Sequence, residues 1–153
     1  MSAIAECRAP LEFGAADIRA RLPHRPPFLL PGRVVIDEPG RRGRGEVRLD
    51  ADAPQWDGLC TRDLVPALLV ESAAQVCGLV LGAAQPAEAA SGGRHLLLAI
   101  DRVEYATVEP GCAPYTVEIV LAGSVGAMHR FDFSIHRDGG VLAHGALSVM
   151  QQE

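Results

Sequence analysis

The run VPALLVESAAQVCGLVLG (65–82) carries one carboxylate, Glu71, among apolar and small side chains. Taking a carboxylate out of water is costly, so Glu71 needs a partner, a proton or a chemical purpose. Burial raises a carboxyl pKa, which suits a general acid working near neutral pH. Gln75 falls one turn later on the same helical face and can hydrogen-bond Glu71 or its surroundings. Where the run begins, at Val65 to Leu68, a helix offers free N–H groups and its positive dipole end, able to hold charge on an oxygen. His24, in LPHRPP, can fold back towards that helix, and Asp57 lies in the preceding WDGL stretch. Each has a plainer reading: Asp57 as a loop or cap carboxylate, His24 as a structural hydrogen-bond donor, Glu71 as a structural buried acid. His95, His129, His136 and His144 lie in or beside strand-like runs and read as surface or packing residues. Trp56 reads as a loop anchor or the wall of a tunnel. Gly78 and Gly82, with Cys77, leave little bulk along the helix, which would shape a tunnel or admit a neighbouring strand.

The elements that position these residues follow from local pattern. Residues 1–13 read as an N-terminal arm and 14–153 as a single domain. AADIRARL (15–22) suits a short helix stopped by Pro23. FLLPGRVVIDEPG and GRGEVRLDA read as two strands joined at Pro39-Gly40. Residues 51–63 form an irregular loop. A buried helix follows from Val65 to Gln85, with Pro66 in its first turn, where a missing N–H costs little. AQPAEAASGG (84–93) is a loop. Four more strands follow, HLLLAIDRVEYATV, YTVEIVLAG, MHRFDFSIHR and VLAHGALSVM. They are separated by Pro110-Gly111, Gly123 to Gly126 and Asp138-Gly139-Gly140. The expected fold is α+β, an antiparallel sheet of about six strands with one long helix.

Bulk properties remove several functions. The 153 residues suffice for one domain with a real core. A net charge of −5 argues against non-specific nucleic-acid binding. All 14 basic residues are Arg, so Schiff-base and other lysine chemistry is excluded. Arg41, Arg42 and Arg44 read as a solvated hairpin turn, with a docking patch for an acidic partner as the alternative. Cys7, Cys60, Cys77 and Cys112 form no C-x-x-C pair and no zinc spacing, so free thiols in a reducing cytoplasm are expected, with no metal and no cofactor. The N-terminal stretch does not read as a signal peptide. Pro66, Glu71, Ser72 and Gln75 interrupt the apolar run, which argues for a core helix and against a membrane span.

Four stretches resemble the hotdog-fold beta-hydroxyacyl-(acyl-carrier-protein) dehydratases of fatty-acid synthesis. LPHRPPFLLPGRVV (22–35) resembles that family's entry segment, LPHRxPFLLVDRV. LLVESAAQVCGLVL (68–81) resembles its central helix, LIIEAMAQxxGxL. LLAIDRVEYATVEPGC (97–112) and GGVLAHGALSVM resemble its later strands. The likeness spans roughly 15–150. One motif is missing. The family carries GHFPGxPxxPG before the helix, and its catalytic His aligns here with Asp57, or with Gly58 after one gap. Pro66 or Ala67 stands where the family has a Gly whose N–H helps hold the thioester carbonyl. A divergent hotdog branch, associated with aryl-polyene clusters, also lacks GHFPG and keeps LPH and E-x-x-A-Q. ESAAQ (71–75) is similar to it.

The resemblance implies a curved sheet wrapped round one helix, and dehydration of 3-hydroxyacyl thioesters to trans-2-enoyl thioesters in a fatty-acid or polyene-like pathway. It implies Glu71 as the acid-side residue and His24 or Asp57 as the base. Gln75, Ala67, Leu68, Trp56 and Gly78 would line the substrate site. It also implies an acyl-carrier-protein or coenzyme A thioester as partner, with assembly as a homodimer, a higher oligomer of dimers, or a hetero-oligomer with a His-containing hotdog subunit. Two other readings stay open: a thioesterase acting through Glu71, and a non-catalytic partner or acyl-binding subunit.

Overall fold

The structure is a computed structural model that describes residues 9–49, 64–86, 94–106 and 111–152, with backbone alone at 111–113. The loop containing Trp56, Asp57 and Gly58 lies outside the described residues, as does most of the stretch read as an N-terminal arm. Seven strands form one antiparallel sheet: β1 (Leu11–Phe13), β2 (Pro31–Glu38), β3 (Arg42–Leu49), β4 (Arg94–Tyr105), β5 (Gly111–Val125), β6 (Met128–Arg137) and β7 (Gly140–Gln152). The helices are α1 (Ala15–Arg21) and α2 (Val65–Gly82). Sheet order is β1-β2-β3-β5-β6-β7-β4. The strand beyond the expected six is β1, the end of the predicted arm, which pairs with β2 through Leu11↔Ile36 and Phe13↔Val34. Three residues are too few to show a period of two, which is why the pattern missed it.

Turn chemistry joins the strands. Gly40 closes β2 to β3 with φ of 76°, and Asp138 and Gly139 close β6 to β7 with φ of 52° and 78°, the positive pair that a tight hairpin requires. Arg41 and Arg42 pair with Glu38, and Arg44 pairs with Asp37, so the basic run is an ion-paired, exposed hairpin.

The inward faces of the strands bury Val34, Ile36, Val47, Tyr115, Val117, Ile119, Phe131, Ile135 and Leu147 against Leu69, Ala73, Val76 and Val80 of α2. By length and composition α2 could cross a membrane, but it is the core helix of this sheet, with 72% of its residues buried. Two strand glycines set its depth. A Cβ on Gly43 would meet Val80 Cγ2 at 2.7 Å, and one on Gly45 would meet Val76 Cγ2 at 2.6 Å. At its C-terminus the Gly40 N–H donates to the Val80 carbonyl at 2.8 Å, satisfying a carbonyl the helix cannot bond. The helix stops at Gly82, three residues short of the expected Gln85. Residues 84 and 85 bond as turns to Leu81 and Gly82, and Pro86 disfavours further helix at Gln85.

α1 has a carboxylate cap: Asp17 Oδ2 accepts the Gly14 N–H at 3.1 Å. Ile18, fully buried, anchors it to the core, and Leu22 ends it in extended backbone. This stop turns residues 22–30 across α2. Because β4 leaves α2 for the far edge of the sheet, beside β7, segment 22–24 and strands β4 and β7 come to the same helix face from different parts of the sheet.

Candidate functional site

That shared face is the wall of a cavity of about 170 Å³, lined by Leu22, Pro23 and His24, by Glu71, Ala74, Gln75 and Gly78 of α2, and by residues of β4 and β7. Glu71, Gln75 and Gly78 follow the i, i+4, i+7 spacing of one helix face.

Gln75 organises the entry. It is 2% exposed, its Oε1 accepts the Leu30 N–H at 3.1 Å, and its Nε2 donates to the Phe28 carbonyl at 2.7 Å and to Glu71 Oε1 at 3.0 Å. Both amide hydrogens are thereby used. Gln75, which lines the cavity, also pins the 28–30 backbone to α2, and the preceding residues carry His24 onto the helix. His24 Nε2 lies 3.3 Å from Glu71 Oε1. Arg25 stiffens the approach by donating to the carbonyls of Leu22 and His24. His24 Nδ1 is buried without a hydrogen-bond partner among the described residues.

The ionisation of Glu71 runs opposite to the expectation from burial. The hydrogen bond from His24 is the largest influence and favours the carboxylate. Burial works against it, and the Gln75 donor reinforces His24, so the pKa is lowered from 4.5. Glu71 is only partly buried, with its side chain 35% exposed, so hydrogen bonding outweighs desolvation.

At the start of α2, Leu64 is the cap residue and Pro66 sits in the first turn, with no side-chain cap among the described residues. The Leu68 N–H is already bonded to the Leu64 carbonyl at 3.1 Å, so it is not free as expected. Among the described residues, the first-turn N–H groups of Val65 and Ala67 have no acceptor within the helix. Tyr105 of β4 donates to the Pro66 carbonyl at 3.1 Å, holding this turn against the sheet edge.

His95, read from sequence as surface or packing, forms part of the cavity wall opposite Gly78. A histidine on an alternating strand looks the same whichever way it faces, and only the closure of β4 over α2 reveals it. Gly78 was the available signal, since its missing side chain makes the room. Among the described residues no group of three or more His, Cys, Asp or Glu side chains is placed to hold a metal ion.

A seven-stranded antiparallel sheet curled round one buried helix defines the hotdog class. A subunit of the dehydratase heterocomplex ApeI:P from Xenorhabdus doucetiae superposes with a TM-score of 0.74 over 89% of this chain and 91% of that one, at 20% identity. A hypothetical thioesterase from Streptococcus pneumoniae, solved with coenzyme A, gives 0.54 over 75% and 81%, at 10% identity. No family model matches the chain. Among curated proteins it is 36% identical over 98 residues to the 3-hydroxyacyl-(acyl-carrier-protein) dehydratase FabZ of Caldanaerobacter subterraneus subsp. tengcongensis, covering 62% of this chain and 67% of that enzyme. The FabZ of Thermoanaerobacter pseudethanolicus gives the same identity and coverage. The chain belongs to the FabZ dehydratase family.

Proposed function

We propose that this protein dehydrates 3-hydroxyacyl thioesters, carried on an acyl-carrier protein, to trans-2-enoyl thioesters. The observation that carries the reading is the His24–Glu71 pair, 3.3 Å apart on the cavity wall of a chain with FabZ relatives. The relatives favour dehydration over thioester hydrolysis or a purely non-catalytic role.

Elimination of water needs a group to take the Cα proton, a group to protonate the departing hydroxyl, and donors for the thioester oxygen. One shared proton on the pair supplies the first two. The hydrogen bonds at Glu71 leave it the ionised member, so Glu71 accepts the Cα proton and His24 gives its proton to the β-hydroxyl. The C–H electrons become the double bond, the C–O bond breaks and water leaves. The pair then holds its proton on Glu71, and transfer across the same contact returns it to His24. This assignment exchanges the roles that resemblance implied. The N–H groups of Val65 and Ala67, at the positive end of α2, would hold the thioester oxygen. Ala67 lies one turn from Glu71, about 6 Å along the axis. The motif-less divergent branch is the natural place for such a site, because the missing histidine is replaced from LPH.

The same reading includes a homodimer through β4. This strand is the sheet edge, and Leu96, Leu97, Leu98 and Ile100 are all exposed along it. A long apolar edge invites strand pairing with a second copy. A hetero-oligomer with another hotdog subunit is the alternative occupant of that edge. A cytoplasmic setting suits the buried free thiol of Cys77.

Deuterium wash-in at Cα tests the roles. His24→Phe is expected to retain exchange at Cα while losing water elimination, and Glu71→Gln to lose both. Loss of exchange in His24→Phe with retention in Glu71→Gln would assign the base to His24.

A further inference from the structure

We infer that His95 is a recognition site for a hydroxyl group borne far along the acyl chain of the substrate. The inference rests on the dehydration reading for the class of ligand, but its test does not require turnover.

Four observations place it. His95 is the second residue of β4 and stands in the wall of the cavity that holds His24 and Glu71. Its imidazole lies close against Gly78: a Cβ there would sit 3.4 Å from Nδ1 and 3.5 Å from Cγ. Its Nε2 is buried and has no hydrogen-bond partner among the described residues. The neighbouring cavity wall is apolar, formed by Ala74, Leu96, Leu97 and Val149.

A buried polar atom in an apolar wall is costly unless something bonds it. Burial, with His129 nearby as a smaller influence, pushes the imidazole pKa down, so the ring is neutral at neutral pH. A neutral imidazole offers one N–H and one lone pair, and which nitrogen carries the proton differs between tautomers. A hydroxyl both donates and accepts, so it satisfies Nε2 in either tautomer. A carbonyl or an ammonium group serves only one.

The spacing gives the reach. Gly78 is seven residues beyond Glu71, roughly 10 Å along the helix axis. A chain held with its 3-hydroxyl at Glu71 therefore meets His95 only after extending by about two helical turns. Short chains would never touch it, and a saturated alkyl chain would leave Nε2 unbonded.

The test is calorimetric titration of the full chain with non-reactive pantetheine thioethers. Each alkyl chain, in a series of lengths, is compared with its counterpart bearing a terminal hydroxyl. At the length that reaches His95, the hydroxylated ligand should bind about 3- to 10-fold more tightly than the alkyl one, the worth of one net hydrogen bond. His95→Leu should reverse that preference, and His95→Gln, which keeps a donor and an acceptor, should restore it. A preference unchanged in His95→Leu overturns the inference. So does an alkyl preference at every length in the parent protein, as would follow if a water already satisfies Nε2, and so does failure of every ligand to bind. Conversion of a short 3-hydroxybutyryl thioester, too short to reach His95, separately decides the dehydration reading.

Discussion

Replacing Gln75 with Leu tests how the entry segment and Glu71 are held together. The substitution keeps volume near that of Gln but removes three hydrogen bonds. The buried Leu30 N–H and the partly buried Phe28 carbonyl lose their partners, and Glu71 loses one of its two donors. An unsatisfied buried group costs about 1–3 kcal/mol, and the better hydration of Phe28 puts that carbonyl at the lower end. The sum is about 3 kcal/mol, which for a chain of this size lowers Tm by roughly 6–12 °C. Glu71 also changes. Its folded pKa is lowered, so its contribution to stability is present above the unfolded value of 4.5 and lost as pH falls through the folded one. Without the Gln75 donor that pKa rises towards the unfolded value, so the contribution shrinks and is fully lost at a higher pH. Because the ionised carboxylate is the proposed base, the acid limb of kcat/KM should move to higher pH as well. Differential scanning fluorimetry across pH and a pH–rate profile check both. A Tm within about 2 °C of the parent, with an unmoved acid limb, would refute the bridging role of Gln75.

Other expectations follow from single contacts. His24→Asn and Glu71→Gln should each lower kcat by about 10²–10⁴-fold, with a small change in Tm because both side chains are about one-third exposed; steady-state dehydration and thermal melts check this. Gly45→Ala should destabilise by about 1–3 kcal/mol through overpacking, since its Cβ would meet Val76 Cγ2 at 2.6 Å; denaturant titration measures it. Gly145→Ala should disrupt the β4–β7 pairing, because a Cβ there would run into the Arg102 carbonyl oxygen, a backbone atom with no room to yield; far-UV circular dichroism and solubility report it. Truncating Leu97 and Ile100 to Ser should weaken self-association through β4, read by sedimentation velocity.

The long elements were legible because their periods are long enough to show. β6 runs over Met128–Arg137, the ten residues its alternation picks out, and α2 begins at Val65 as Pro66 in its first turn requires. β1 was not legible, since it is a strand only by pairing with Val34 to Ile36. Within the site, Glu71 stood out as a charge in an apolar helix, and His24 as the polar residue of a segment able to fold back. The direction of the Glu71 pKa shift was not readable: it depends on His24 and Gln75 converging on one oxygen, Oε1, and on how much water the carboxylate keeps. His95 was hidden for a similar reason. Facing the helix at Gly78 is a property of the closed sheet, set by β4 pairing with β7 at the edge.

The most direct test is conversion of a 3-hydroxyacyl-carrier-protein thioester to its enoyl product by the purified protein alone, followed by mass spectrometry, beside Glu71→Gln and His24→Asn. The account predicts enoyl thioester from the parent and almost none from either variant. No product from the parent, or full activity in His24→Asn, would contradict it.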